Sequence, residues 1–124
     1  MLSLLHIENI AVIESADISF DGGFTVLTGE TGAGKSIVID SLSAVLGQRT
    51  SRDLIRTGAD KAYVSACFTG IPPEVGEDLG ITWDEELLLQ REIHADGKNV
   101  CRVGSRPVTV TQLRTLGSRL LNIH

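Results

Sequence analysis

Aromatic side chains are scarce in this chain, at 4% of 124 residues, with one Trp, one Tyr and three Phe. A surface that stacks nucleic-acid bases needs aromatics set among basic residues. Trp83 is followed instead by Asp84, Glu85 and Glu86, so Trp83 and Tyr63 read as packing residues. Cysteine is equally sparse. Cys67 and Cys101 stand far apart, outside any C-x-x-C spacing and without a histidine in a ligand pattern, which excludes a zinc site or a redox motif. Both fall in strand-like runs and read as buried free thiols. Basic residues are outnumbered, 11 against 16 acidic, for a net charge of −5. That balance argues against a dedicated nucleic-acid module, which needs a clustered excess of Lys and Arg. No long apolar run is present either. Met1–Ile13 is interrupted by His6, Glu8 and Asn9, lacks a basic leader, and falls short of the roughly 20 residues of a membrane span. The expectation is a cytoplasmic protein with no membrane partner.

What is present suffices for a core. With 42% hydrophobic residues, the chain has the length of one modest domain, able to bury roughly 65% of the surface its unfolded form exposes. Its charges are unevenly spread. Glu74, Glu77, Asp78, Asp84, Glu85 and Glu86 lie in a stretch without Lys or Arg, whereas Arg91, Lys98, Arg102, Arg106, Arg114 and Arg119 follow with only Glu92 and Asp96 among them. A local DNA-facing patch from Arg102, Arg106, Arg114 and Arg119 is one reading; ordinary solvated charges are the other.

Short apolar runs at Leu2–Ile7 and Val12–Phe20 predict two strands, and Asp21-Gly22-Gly23 a turn. Phe24–Thr28 is apolar and β-branched without alternation, the pattern of a strand buried on both faces. Ile37, Val38, Leu42, Val45 and Leu46 then recur at helical spacing, and Gly47 supplies a stop. Residues 48–61 read as loop, with a helical turn near Asp53–Arg56. Ala62–Phe68 reads as a strand ended by Pro72-Pro73. Leu87–Ile93 and Val100–Val103 read as a peripheral hairpin turning at Asp96-Gly97. Thr109 caps a helix with Val110, Leu113 and Leu116 on one face, Gly117 loosens its end, and Leu120–Ile123 resembles another strand.

Gly29-Glu30-Thr31-Gly32-Ala33-Gly34-Lys35-Ser36 satisfies G-x-x-x-x-G-K-[ST] between a buried-type strand and an amphipathic helix. Glycines let the backbone curl so that successive N–H groups face phosphate oxygens, while the helix N-terminus adds positive partial charge. Lys35 is expected on the β- and γ-phosphates, and the Ser36 hydroxyl on Mg²⁺. The expected ligand is a nucleoside triphosphate, read as Mg-ATP, with the choice of ATP over GTP not fixed by the loop. Hydrolysis also needs a carboxylate at the end of a second apolar strand to hold the metal. The runs ending at Thr28, Thr69, His94 and His124 deliver none, so no complete catalytic set is expected in this chain. His6 and His94 read as strand and turn residues. Arg49, Arg52 and Arg56 form a basic cluster that either faces nucleotide or DNA, or is a solvated loop face.

Several stretches resemble the amino-terminal part of the RecN family of bacterial DNA repair proteins, relatives of the SMC ATPases within the ABC-type class. They are LSLLHIENIAVI (2–13), TGETGAGKSIVIDSLSAVLGQR (28–49), LIRTGADKA (54–62), QREI (90–93) and SRPVTVTQLRTLGSRLLNI (105–123). The P-loop by itself indicates only a P-loop NTPase; with LSLLHIENI before it and LGQR after it the resemblance narrows.

The resemblance implies an α/β fold, an ABC-ATPase-like P-loop lobe with a mixed sheet and an antiparallel β subdomain, residues 1–124 being the amino-terminal part of a split head. It implies a carboxy-terminal lobe bringing the Walker B acid and signature motif, and a second head closing an ATP sandwich. It further implies ATP hydrolysis by the complete head, and DNA engaged through the full-length protein at double-strand breaks in the nucleoid. Two other classes fit the same loop: the nucleotide-binding domain of an ABC transporter, and a module that senses nucleotide without hydrolysing it.

Overall fold

The computed structural model describes residues 1–20, 32–50 and 52–121. In chain order the elements are strands β1 (Leu2–Ile10) and β2 (Ile13–Ser19), helix α1 (Gly32–Val45), strands β3 (Lys61–Thr69), β4 (Glu86–His94), β5 (Asn99–Val103) and β6 (Arg106–Val108), and helix α2 (Val110–Leu121). Short 3-10 segments at Arg52–Leu54 and Pro73–Leu79 join them.

Alternation builds the sheet. Ala62, Val64, Ala66 and Phe68 of β3, and Leu87, Leu89, Arg91 and Ile93 of β4, are all buried. The residues between them, such as Tyr63, Ser65, Gln90 and Glu92, are half-buried on the opposite face. The strands lie in the order β2-β1-β3-β4-β5-β6, and every described pair is antiparallel. The Phe24–Thr28 run, expected as a further buried strand, lies outside the described residues. The β4–β5 hairpin is not peripheral as expected. Its turn forms as read, with Gly97 at φ +95° and the Lys98 amide donating to Asp96 Oδ1 at 2.9 Å. Yet β4 pairs along its length with β3, because both strands present apolar residues in matching register. The edge belongs instead to β6, where Pro107 has no amide hydrogen to offer a further strand.

Both helices are amphipathic on the same side, and the core lies between them and the sheet. Leu5, Ile7, Val64, Leu87 and Leu89 meet Val45 of α1 and Leu113 and Leu116 of α2 in one buried cluster. The capping predicted at Thr109 is reciprocal: the Gln112 amide donates to Thr109 Oγ1 at 3.0 Å, and the Thr109 amide to Gln112 Oε1 at 2.9 Å. Two expectations for this segment fail. Gly117 does not loosen the helix, and Leu120 and Leu121 are helical rather than strand. The reason is tertiary: Gly117 is buried against the Leu46 carbonyl, where a β-carbon would collide, so the helix runs on and buries Leu120.

The β1–β2 turn carries positive φ at two non-glycine residues, Asn9 (56°) and Ala11 (52°). Neighbours hold it there. The Ala11 amide donates to the Leu54 carbonyl and the Arg56 amide to the Asn9 carbonyl, each at 2.8 Å, while Ile10 between them is fully buried.

Candidate nucleotide site

The P-loop motif Gly29–Ser36 ends within α1, and the sequence explains both ends of that helix. Gly32 opens it, so the segment Gly32–Ser36 forms its first turn, slightly earlier than the apolar periodicity indicated. No acidic residue occupies that turn, which leaves the positive end of the helix free of a competing carboxylate from its own residues. Ser36 is exposed there. These features fit a bound triphosphate with its magnesium. Gly29, Glu30 and Thr31 lie outside the described residues. At the far end Gly47 adopts φ +88°; its amide donates to the Ala44 carbonyl at 3.0 Å and the Gln48 amide to the Ser43 carbonyl at 3.1 Å. That pair of bonds is a Schellman stop, available because glycine has no β-carbon to penalise left-handed backbone.

One face of α1 borders a cavity of about 400 Å³ lined by Asp40, Ser43, Arg49, Thr50, Asp53, Leu54 and Ala11. Arg49 therefore stands beside the helix. Arg56 turns away to Glu14, 3.7 Å distant. Arg49 and Arg56 of the cluster read from the sequence thus have different surroundings, and the Arg52 side chain lies outside the described residues.

The four arginines of the expected basic patch end on different partners. Arg102 lies 3.7 Å from Glu92. Arg106 donates to the Gly80 carbonyl at 2.9 Å. Arg114 donates to the Gly47 carbonyl at 3.1 Å. Arg119 grips both oxygens of Asp78, at 2.6 and 2.9 Å, and holds that carboxyl below its usual pKa. Each pairing joins separate elements of the fold.

Arg91 went unsingled in the sequence. It is 4% exposed, and its Nη1 donates to the Ala44 carbonyl at 2.8 Å and to the Gln48 carbonyl at 2.6 Å. Its Nε donates to Asn99 Oδ1 at 3.0 Å. Burial lowers its pKa from the arginine norm; the Cys101 thiol opposes that shift and the Arg114 charge adds to it. The signal that finds it is parity: in Leu87-x-Leu89-x-Arg91-x-Ile93 a cation takes an inward position. Cys101, paired with Arg91 across β4 and β5, is a buried thiol with its pKa raised by desolvation, whereas Cys67 is half-buried rather than buried as read. Trp83 packs on Gly76 and donates to the Ile71 carbonyl at 3.4 Å, a structural role as read.

A six-stranded antiparallel sheet backed by a helix that begins inside a P-loop motif defines the class: the chain belongs to the AAA domain family, which it matches over residues 4–100. Along its whole length it is similar to the DNA repair protein RecN of Bacillus subtilis (strain 168), 44% identical over 132 residues. The chain spans 22% of that relative's length. Among solved structures, the SMC head domain from Thermotoga maritima is 27% identical and superposes with a TM-score of 0.68 over 91% of this chain and 40% of that one. A structure from work on ATP-driven dimerization and DNA-stimulated activation of SMC ATPases reaches 0.76 at 23% identity, covering 97% of this chain and 79% of that one. Over the part that superposes, the fold is that of an SMC head domain. No helix among the described residues is long and apolar enough to cross a membrane.

Proposed function

We propose that this chain is the Mg-ATP-binding amino-terminal lobe of a RecN-like ATPase acting in DNA double-strand break repair and recombination. The observation that carries the reading is the placement of the last five residues of Gly29–Ser36 as the first turn of a 14-residue helix without acidic residues in that turn. Backbone amides from Gly32 to Ser36 cradle the phosphates, Lys35 neutralises the β- and γ-phosphate oxygens, and the Ser36 hydroxyl ligates magnesium. Magnesium held there would supply Lewis-acid stabilisation of charge on the phosphate oxygens.

Hydrolysis belongs to the complete head, in which a carboxy-terminal lobe brings the Walker B acid and signature motif and a second head closes over the nucleotide. The similarity to RecN along the whole chain supports that partnership. It also supports a role in DNA repair; action in the cytoplasm, at the nucleoid, is part of the same proposal. The lobe by itself binds Mg-ATP weakly and turns it over negligibly.

The test is ATP turnover and binding by this chain with Mg²⁺ beside Lys35→Ala, with circular dichroism to check folding. Binding lost in a folded Lys35→Ala chain, and no turnover by either, is expected. Turnover by the 124 residues that disappears in the variant would place a metal-holding carboxylate within them and overturn the split-head reading. Tight binding by the folded variant would sink the phosphate assignment.

A further inference from the structure

The two halves of α1 are held differently. Ser36, Ile39 and Asp40 are exposed and Ile37 and Val38 half-buried, whereas Ser41, Ala44 and Val45 are buried, with Leu42 half-buried and Ser43 exposed among them, and Leu46 and Gly47 just past the helix are buried too. Among the described side chains, the helix is therefore anchored at the end opposite the phosphate loop. Fourteen residues make a rod about 21 Å long. Apolar burial is non-directional, so it fixes how deeply such a rod sits better than its rotation or axial position. Hydrogen bonds supply the missing direction, and two arginines from other elements provide them. Arg91 of β4 donates to the Ala44 and Gln48 carbonyls, and Arg114 of α2 donates to the Gly47 carbonyl.

The arrangement is not an ordinary ion pair. Among the described residues, the acceptors of Arg91 are two carbonyls and the Asn99 amide, none of them a carboxylate, and it is buried close enough to Arg114 for the two cations to repel. Two like charges converge on one helix terminus because that terminus carries the negative end of the peptide dipoles, and the Ala44 carbonyl accepts from Arg91 in addition to the Gly47 amide. A lysine has the charge but not the planar fork that spans separate acceptors. Asn99 fixes the Nε edge from the neighbouring strand, and Gly47 lies against the backbone of Leu113 and Arg114, where a β-carbon would collide.

We propose that Arg91, assisted by Arg114, is a positioning residue for nucleotide binding: it sets the axial position and rotation of α1 from its buried end, and so places Gly32–Ser36 at the other. The inference rests on the reading of Gly29–Ser36 as the triphosphate site. In the full-length protein, the Kd for Mg-ATP is measured by titration calorimetry well below each variant's melting temperature, for wild type, Lys35→Ala, Arg91→Gln, Arg91→Lys and Arg114→Gln.

Arg91→Gln is expected to weaken binding by about tenfold, equivalent to about 1.4 kcal/mol of binding free energy. Arg91→Lys should recover part of that loss, and Arg114→Gln should show a smaller one. Melting temperatures lowered with Kd unchanged would show a merely structural role and overturn the proposal while leaving the nucleotide site standing. Should Arg91→Gln fail to fold, unchanged affinity in folded Arg91→Lys and Arg114→Gln would overturn it equally. Wild type that binds no Mg-ATP, or Lys35→Ala that binds as tightly as wild type, would remove the site itself and the proposal with it.

Discussion

At the scale of single residues, His6 shows how a polar sheet face holds its edge strand. Its Nδ1 lies 2.6 Å from Asp17 Oδ1 on β2, and its Nε2 lies 2.6 Å from Glu8 Oε2 on its own strand, with Tyr63 edge-on to the ring. Burial by itself would lower the histidine pKa, but the hydrogen bonds and charges of Glu8 and Asp17 outweigh it, and the value is raised above the usual 6.5. The sign follows from linkage. The contribution is fully present below about pH 6.5 and is lost as pH rises through the folded-state value. Melting temperature should therefore rise on going from about pH 8 to about pH 6, and His6→Gln should flatten that rise. Solvent screening limits the difference to about 1 kcal/mol or less. An identical pH profile in the variant would show that the clasp contributes nothing. The sequence places His6 in a strand; that both its nitrogens meet carboxylates depends on the β1–β2 register, in which His6 faces Asp17.

At the scale of elements, α2 separates local from tertiary causes. Its start is local: Thr109→Ala removes one half of a reciprocal cap and should cost about 1 kcal/mol by denaturant titration. Its continuation past Gly117 is tertiary. Gly117→Ala ought to strengthen an exposed helix, since alanine is the better helix former by about 1 kcal/mol. Here the added methyl meets the Leu46 carbonyl, so the substitution should destabilise the fold by about 1–3 kcal/mol instead. A stabilised Gly117→Ala protein would mean that the close approach of α1 and α2 is absent in solution. The Asp96-Gly97 turn, the Gly47 stop and the Thr109 cap were all legible because each rests on residues adjacent in sequence. The location of the β4–β5 hairpin was not, because a hairpin's sequence specifies its turn and its apolar face but not its neighbours.

For the whole molecule, nucleotide and stability are linked. A ligand that binds only the folded state stabilises it by about 2.7 kcal/mol at a hundredfold excess over its Kd. Mg-ATP should therefore raise the melting temperature of the folded chain, and Lys35→Ala should abolish the rise. No rise for wild type at saturating Mg-ATP would contradict the proposed site. The sequence by itself determined the P-loop motif, the alternation that makes strands of Lys61–Thr69 and Glu86–His94, and the caps, because glycine, proline and short polar side chains act within a few residues of themselves. Tertiary structure alone decided that β4 lies within the sheet, that Leu120 and Leu121 prolong a helix, and that Arg91 and Arg114 meet at the end of α1. Those outcomes depend on contacts between residues tens of positions apart, where packing and the desolvation of charge override local preference.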